Sequence, residues 1–154
     1  MLVLVIQIGP DRYALDARNV REVVPAVAVR PVPHAPPEVA GLATWRAQVV
    51  PVIDLVRLLT GQPCPSRMSS RMVVVDYGTG RGARPLGLLA EQITDVERID
   101  EKTIEEPGLT VPNATYLGRV MRVHGQLVQL VEVKALLPEA LRQLLWSAVE
   151  ASRT

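Results

Sequence analysis

Short runs of Val, Ile and Leu alternate along the chain with clusters of Gly, Pro and polar residues. That texture marks a β-rich protein built from many brief strands. Strands are predicted over Leu2–Ile8, Arg12–Leu15, Val23–Val29, Val49–Ile53, Arg71–Asp76, Leu86–Leu89, Ile93–Val96, Leu117–Val123 and Gln126–Val131. Turn residues separate several of them, at Gly9-Pro10-Asp11, Gly78-Thr79-Gly80-Arg81-Gly82 and His124-Gly125. Pro51 falls inside a predicted strand, which calls for an edge position or a bulge there. Short helical turns are predicted at Ala17–Val20 and Leu55–Leu59, and a longer helix from about Pro138 to Ala151. In that helix Leu141, Leu144, Leu145, Ala148 and Val149 recur at helical spacing, opposite Glu139, Arg142, Gln143 and Glu150. The apolar stripe is expected to pack on the strands, with Pro138 in the first turn, where its missing N–H is harmless.

The chain also resembles itself. Gln48-Val49-Val50-Pro51-Val52-Ile53-Asp54-Leu55-Val56-Arg57-Leu58-Leu59 matches Gln126-Leu127-Val128-Gln129-Leu130-Val131-Glu132-Val133-Lys134-Ala135-Leu136-Leu137 at a constant offset of 78 residues. Each copy is a strand, an acidic residue, then a helical turn ending in two leucines. Asp54 and Glu132 are therefore expected to cap their turns, accepting free first-turn N–H groups. A weaker match, at an offset of 73, links Ala14-Leu15 and Val20-Arg21-Glu22-Val23 to Gly87-Leu88 and Ile93-Thr94-Asp95-Val96. Two units in the same order imply two copies of one small β module. The boundary is expected near Gly61 to Arg67, giving subdomains of about 12–66 and 67–131, with Leu2–Ile8 and the helix at 138–151 completing a shared core. Modules this small bury little alone, so they must lean on one another, leaving a seam suited to docking.

Composition narrows the function. The 154 residues carry 17 basic and 16 acidic side chains, a formal net charge of +1. No long-range field draws such a chain to nucleic acid or an anionic membrane. With no Phe, two Trp and three Tyr, it also lacks the stacking platforms of single-strand binders. Leu2–Ile8 is too short to span a membrane and lacks the flanks of a secretory signal, so no direct membrane insertion is expected. The single cysteine, Cys64, forms no internal disulfide, which suits the cytoplasm. The glycines at 78–82 precede a predicted strand and not a helix, so they read as a hairpin loop and not a phosphate cradle. His34 and His124 have no ligand-spaced neighbours in sequence and read as surface loop residues. Cys64, between Pro63 and Pro65, has no base placed beside it. No catalytic residue, cofactor site or metal site is therefore expected, and the protein is not expected to be an enzyme.

The order of these elements resembles the CheW-type coupling proteins of bacterial chemotaxis. The resemblance runs through Gly9-Pro10-Asp11-Arg12-Tyr13-Ala14-Leu15-Asp16, Val20-Arg21-Glu22-Val23, Gly41-Leu42, Trp45-Arg46 and Val50-Pro51-Val52-Ile53-Asp54-Leu55. In the second half it continues through Pro85-Leu86-Gly87-Leu88-Leu89, Tyr116-Leu117-Gly118 and the Val128 to Leu137 element. It implies two five-stranded SH3-like β-barrels around a shared core, with short helices and a C-terminal helix. It implies a cytoplasmic, non-catalytic adaptor, recruited to membrane receptor arrays, that joins a chemoreceptor's cytoplasmic tip to the regulatory domain of a histidine kinase. Val20 and Glu22 match family positions implicated in partner binding. Gly41 and Arg46 match the glycine and arginine before the Pro-x-x-Asp strand that ends at Asp54; Gly41 suits backbone shape, and Arg46 suits a structural tie or an interface. The family usually carries glycine after that arginine, whereas this chain has Ala47, a strained choice if φ is positive there. That departure and the C-terminal helix make it similar to auxiliary members such as those of the Wsp surface-sensing pathway. Two other readings compete: a barrel that binds a small ligand in the seam as a sensor, and a cofactor-free enzyme using Cys64.

Overall fold

In the first strand, β1 (Leu2–Ile8), Val3 and Val5 point to one side and Leu4, Ile6 and Ile8 to the other, and all five are buried. A strand buried on both faces has no polar positions to alternate with, which is why the sequence shows solid apolar runs. The computed structural model describes residues 1–78, 82–105 and 116–152. The further strands are β2 (Asp11–Asp16), β3 (Val20–Pro25), β4 (Val39–Trp45), β5 (Gln48–Asp54), β6 (Arg71–Tyr77), β7 (Arg84–Ala90), β8 (Gln92–Arg98), β9 (Leu117–Val123) and β10 (Gln126–Val131). Helix α1 spans Leu55–Thr60 and α2 spans Glu139–Ser152, with 3-10 turns at Ala17–Asn19, Glu101–Thr103 and Val133–Ala135.

The strands form two five-stranded sheets, ordered β8-β1-β2-β10-β9 and β3-β6-β7-β5-β4. Adding or subtracting five turns one order into the other, and every neighbour keeps its sense: only β2·β10 and β5·β7 are parallel. The register agrees, since Val52 opposite Gly87 recurs as Leu130 opposite Ala14, at the two offsets seen in the sequence. Both edge strands are bulged at matching places, at Arg21 of β3 and Thr94 of β8. Each sheet then closes on itself. Arg30, beyond β3, exchanges two 2.8 Å main-chain hydrogen bonds with Leu42 of β4, and Glu105, beyond β8, does the same with Val120 of β9.

The duplication is thus present, but the barrels are not the sequence halves. The first barrel takes β1 and β2 from one copy and β8 to β10 from the other; the second takes β3 to β5 and β6, β7. The division at 12–66 and 67–131 therefore cuts through both sheets. Exchanging strands lets each copy bury apolar surface that a module of its size cannot bury alone.

Three apolar clusters result. One fills the first barrel around Val3, Val5, Met121 and Val128; one fills the second around Trp45, Val50, Val52, Met72 and Val74. The third and largest lies between them and includes Ile6, Leu15, Ile53, Val73, Leu88, Leu141 and Leu145. Helix α2 covers it with Leu141 and Leu145, each burial contributing roughly 2 kcal/mol, and Val149 is buried as well. Its Trp146 stacks on Tyr77 at 5.5 Å between ring centroids, while Leu144, expected on the apolar face, is exposed.

Three local expectations change. Strand β4 escaped the sequence pattern because Gly41 interrupts it. Strand β3 begins and ends earlier than Val23–Val29, because after Pro25 the chain leaves β6 to reach β4 at Arg30. Pro51 lies on β5, an interior strand. It stands opposite Leu42, whose N–H and C=O both pair with Arg30, and the ladder to β7 begins at Val52, so no strand bond is demanded of the proline. The predicted loop at 78–82 falls on residues 79–81, outside the described residues.

Candidate functional site

Closure of the second barrel brings its two edge strands together at one corner. Strands β4 and β5 are joined by a two-residue turn, with Trp45 paired to Gln48 and positive φ at Arg46 (48°) and Ala47 (62°). This is the type I′ geometry that the twist of a hairpin selects and that Asn-Gly or Gly normally fills. Ala47 therefore does occupy a left-handed position, at a cost of about 1 kcal/mol relative to an unstrained residue. The turn delivers Trp45 and Arg46 to Glu22 of β3. The Trp45 Nε1–H donates to Glu22 Oε2 at 2.8 Å, and the Arg46 Nε–H donates to the same oxygen at 3.0 Å. The Arg46 guanidinium also sits 5.3 Å from the Trp45 ring centroid, a cation–π distance. The Arg46 hydrogen bond and then the Trp45 one hold the Glu22 carboxyl below the usual glutamate range. Beside it Arg21 pairs with Asp76, and Val23 is exposed.

The other residues singled out from sequence serve the frame. Gly41 has φ 144°, and a Cβ there would lie 2.2 Å from the Arg30 carbonyl oxygen, so glycine is required where the closing segment crosses. Val20 is half-buried against the shared core. Asp54 is buried and uses both oxygens: Oδ1 accepts the Arg57 N–H at 3.0 Å as a helix cap, and Oδ2 accepts the Cys64 N–H at 2.9 Å. Glu132, expected to cap in the same way, makes no side-chain cap bond. Its turn is 3-10, and its carboxylate lies over Gly118 instead. Burial, and then the Asp54 charge, push the Cys64 thiol up to about 11, so it is not an activated nucleophile.

Between the barrels lies a groove of about 530 Å³, lined by Ile53, Leu58, Tyr116, Leu136, Leu137 and Leu141, with Glu38 among them. Among the described residues its lining is apolar except for one carboxylate and one phenol, and includes no nucleophile with a base.

The corner and the groove, on two fused barrels, define a binding module. The chain belongs to the CheW-like domain family, whose profile matches residues 2–141. It is 22% identical over 143 residues to the chemotaxis protein CheW of Rhizobium meliloti, covering 92% of this chain and 90% of that one. It is 26% identical over 123 residues to the chemotaxis protein CheW of Treponema pallidum, covering 75% and 69%. The crystal structure of the scaffolding protein TtCheW from Thermoanaerobacter tengcongensis shares the fold, with a TM-score of 0.75 at 24% identity over 88% of this chain and 90% of that one. The family is one of non-catalytic scaffolds, and this chain is a coupling adaptor of the chemotaxis type. Among the described residues no helix is long and apolar enough to cross a membrane.

Sequence reasoning missed one cluster. Asp95 and Glu97 of β8 and His124 of the β9–β10 turn place one ligand atom each within 4.8 Å of one another. Carrying the offsets of 73 and 78 onto Glu22 and Arg46 points to Asp95 and His124, so the signal was present in the repeat.

Proposed function

We propose that the chain joins the cytoplasmic tip of a chemoreceptor to the regulatory domain of a histidine kinase, at the cytoplasmic face of a receptor assembly. The observation that carries this reading is the apolar groove between the barrels. Its leucine lining suits the apolar face of a receptor helix, laid in as an amphipathic helix lies in a groove. The kinase domain takes the corner of the second barrel, where the Arg46 side chain beside Glu22 is 67% exposed. Two separate surfaces allow both partners to be held at once, which coupling requires.

Binding of a receptor cytoplasmic fragment and of the kinase regulatory domain, each measured by titration calorimetry, tests the assignment. Both are expected near micromolar affinity, on the order of −8 kcal/mol. Ala135→Arg projects a charged chain into the groove and is expected to weaken the receptor fragment at least tenfold, about 1.4 kcal/mol, while sparing the kinase domain. Arg46→Ala is expected to do the reverse. Equal losses from both variants, with the fold intact, would contradict the division of surfaces.

A further inference from the structure

We propose that Asp95, Glu97 and His124 form a site for one divalent transition-metal ion of the zinc class, which ties the first barrel shut. The corner of the second barrel supplies the pattern. There a carboxylate on the bulged edge strand, Glu22, meets a cation carried by the facing hairpin turn, Arg46. Asp95 occupies the place of Glu22: it pairs with Val5 of β1 as Glu22 pairs with Val74 of β6, each beside the bulge. His124 occupies the place of Arg46, first residue of a two-residue turn with φ 50° followed by Gly125 at φ 78°. Glu97, two residues beyond Asp95 on the same face of β8, adds a second acid where the other barrel has Val24. The corner thus holds two carboxylates and an imidazole in place of one carboxylate and a guanidinium.

The donor set fits a borderline ion. Imidazole nitrogen with carboxylate oxygens suits zinc and its first-row neighbours, whereas calcium and magnesium favour oxygen alone. His124 Nε2 already lies 2.7 Å from Glu97 Oε1. The Asp95 carboxylate has no hydrogen bond or ion pair among the described residues. Ligand atoms around a tetrahedral zinc stand about 3.4 Å apart, given bonds of about 2.1 Å. From a spread within 4.8 Å, rotation of three side chains that are at most half-buried closes the set. Water completes the coordination, since His124 lies at the surface. Strand β8 and the β9–β10 turn lie at opposite edges of the first sheet, so the ion joins the same two edges that Glu22 and Arg46 join in the second barrel.

Zinc titration of the full chain by calorimetry, with Co²⁺ absorption as a second readout, tests the site. One ion per chain is expected, with a melting temperature raised by zinc. Asp95→Asn, which keeps shape and removes charge, and His124→Ala are each expected to weaken binding by about 100-fold or more and to abolish the melting shift. His34→Ala and Glu22→Gln, at the other histidine and the other corner, are expected to leave zinc affinity unchanged. Absence of binding and of a melting shift in the parent chain at millimolar zinc would overturn the proposal. So would binding that survives both Asp95→Asn and His124→Ala.

Discussion

The two barrels share a strand order, a bulged edge strand, a closing main-chain bridge and a two-residue hairpin turn, yet their corners are built from different chemistry. In the second barrel Glu22 and Arg46 form an ion pair backed by the Trp45 indole. In the first, Asp95, Glu97 and His124 put two acids against one imidazole. The buried alternation of β1 and β6 matches position by position: Val3 and Val5 fill one barrel as Met72 and Val74 fill the other, while Leu4 and Ile6 face the shared core as Val73 and Val75 do. Each of these positions is shut off from water and must stay apolar, whatever its size, so the core keeps its pattern. Exposed corners escape that constraint and are where the two copies differ.

The largest effect is expected at the closing bridge. Gly41→Ala sets a Cβ against the Arg30 carbonyl and is expected to destabilise the protein by about 3 kcal/mol or more, read as a lower urea midpoint. Arg119 stands at the matching place of β9 and already carries a side chain, so Arg119→Ala is expected to stay within about 0.5 kcal/mol. Equal effects would break the claim that only the second barrel needs glycine to close.

Next come the two acids after the repeated strands. Asp54→Ala removes a cap and strands the Cys64 N–H, and is expected to cost about 2–3 kcal/mol. Glu132→Ala removes no cap bond and is expected to cost less than about 1 kcal/mol in the same denaturation experiment. The hairpin turns offer a smaller test of opposite sign. Ala47→Gly relieves a left-handed alanine and is expected to stabilise by about 0.5–1 kcal/mol. Gly125→Ala introduces the same strain in the first barrel, where no atom obstructs a Cβ, and is expected to destabilise by about 1 kcal/mol.

The smallest effect is the acid response of the second corner. The Glu22 carboxyl is held below its ordinary value, so its folded form binds a proton less readily than the unfolded chain. Its contribution is present above the usual carboxylate range and is lost as pH falls through the lowered value. The Trp45 indole N–H resonance is expected to titrate with a midpoint below the ordinary glutamate value. A midpoint at or above that value would mean that Glu22 is not paired as described.

Much of this fold is legible in the chain, for physical reasons. Strands β1, β9 and β10 have the predicted bounds because their apolar runs are bracketed by turn residues. The repeat gave the number and order of modules, but an offset cannot say which copy's strands pair; that depends on contacts distant in sequence. Strand β4 was hidden because Gly41, which closure requires, reads locally as a strand breaker. The Ala47 strain was foreseeable, since the neighbouring turn residues fix the hairpin length. Glu97 and His124 lie 27 residues apart, so the Asp95, Glu97 and His124 cluster is invisible to local spacing and legible only through the repeat offsets. Glu132 makes no cap bond although the shorter Asp16 and Asp100 side chains cap 3-10 turns elsewhere in the chain, because its longer side chain lies over Gly118 instead.

On the proposed function, one chain holds two partners through two different surfaces. The most direct test is to saturate the chain with the kinase regulatory domain and then titrate in the receptor cytoplasmic fragment, following the mass of the complex by sedimentation. A ternary complex containing one chain and both partners, lost on the receptor side alone in Ala135→Arg, is the predicted result. Displacement of the kinase domain by the receptor fragment, or no association with either partner, would contradict it.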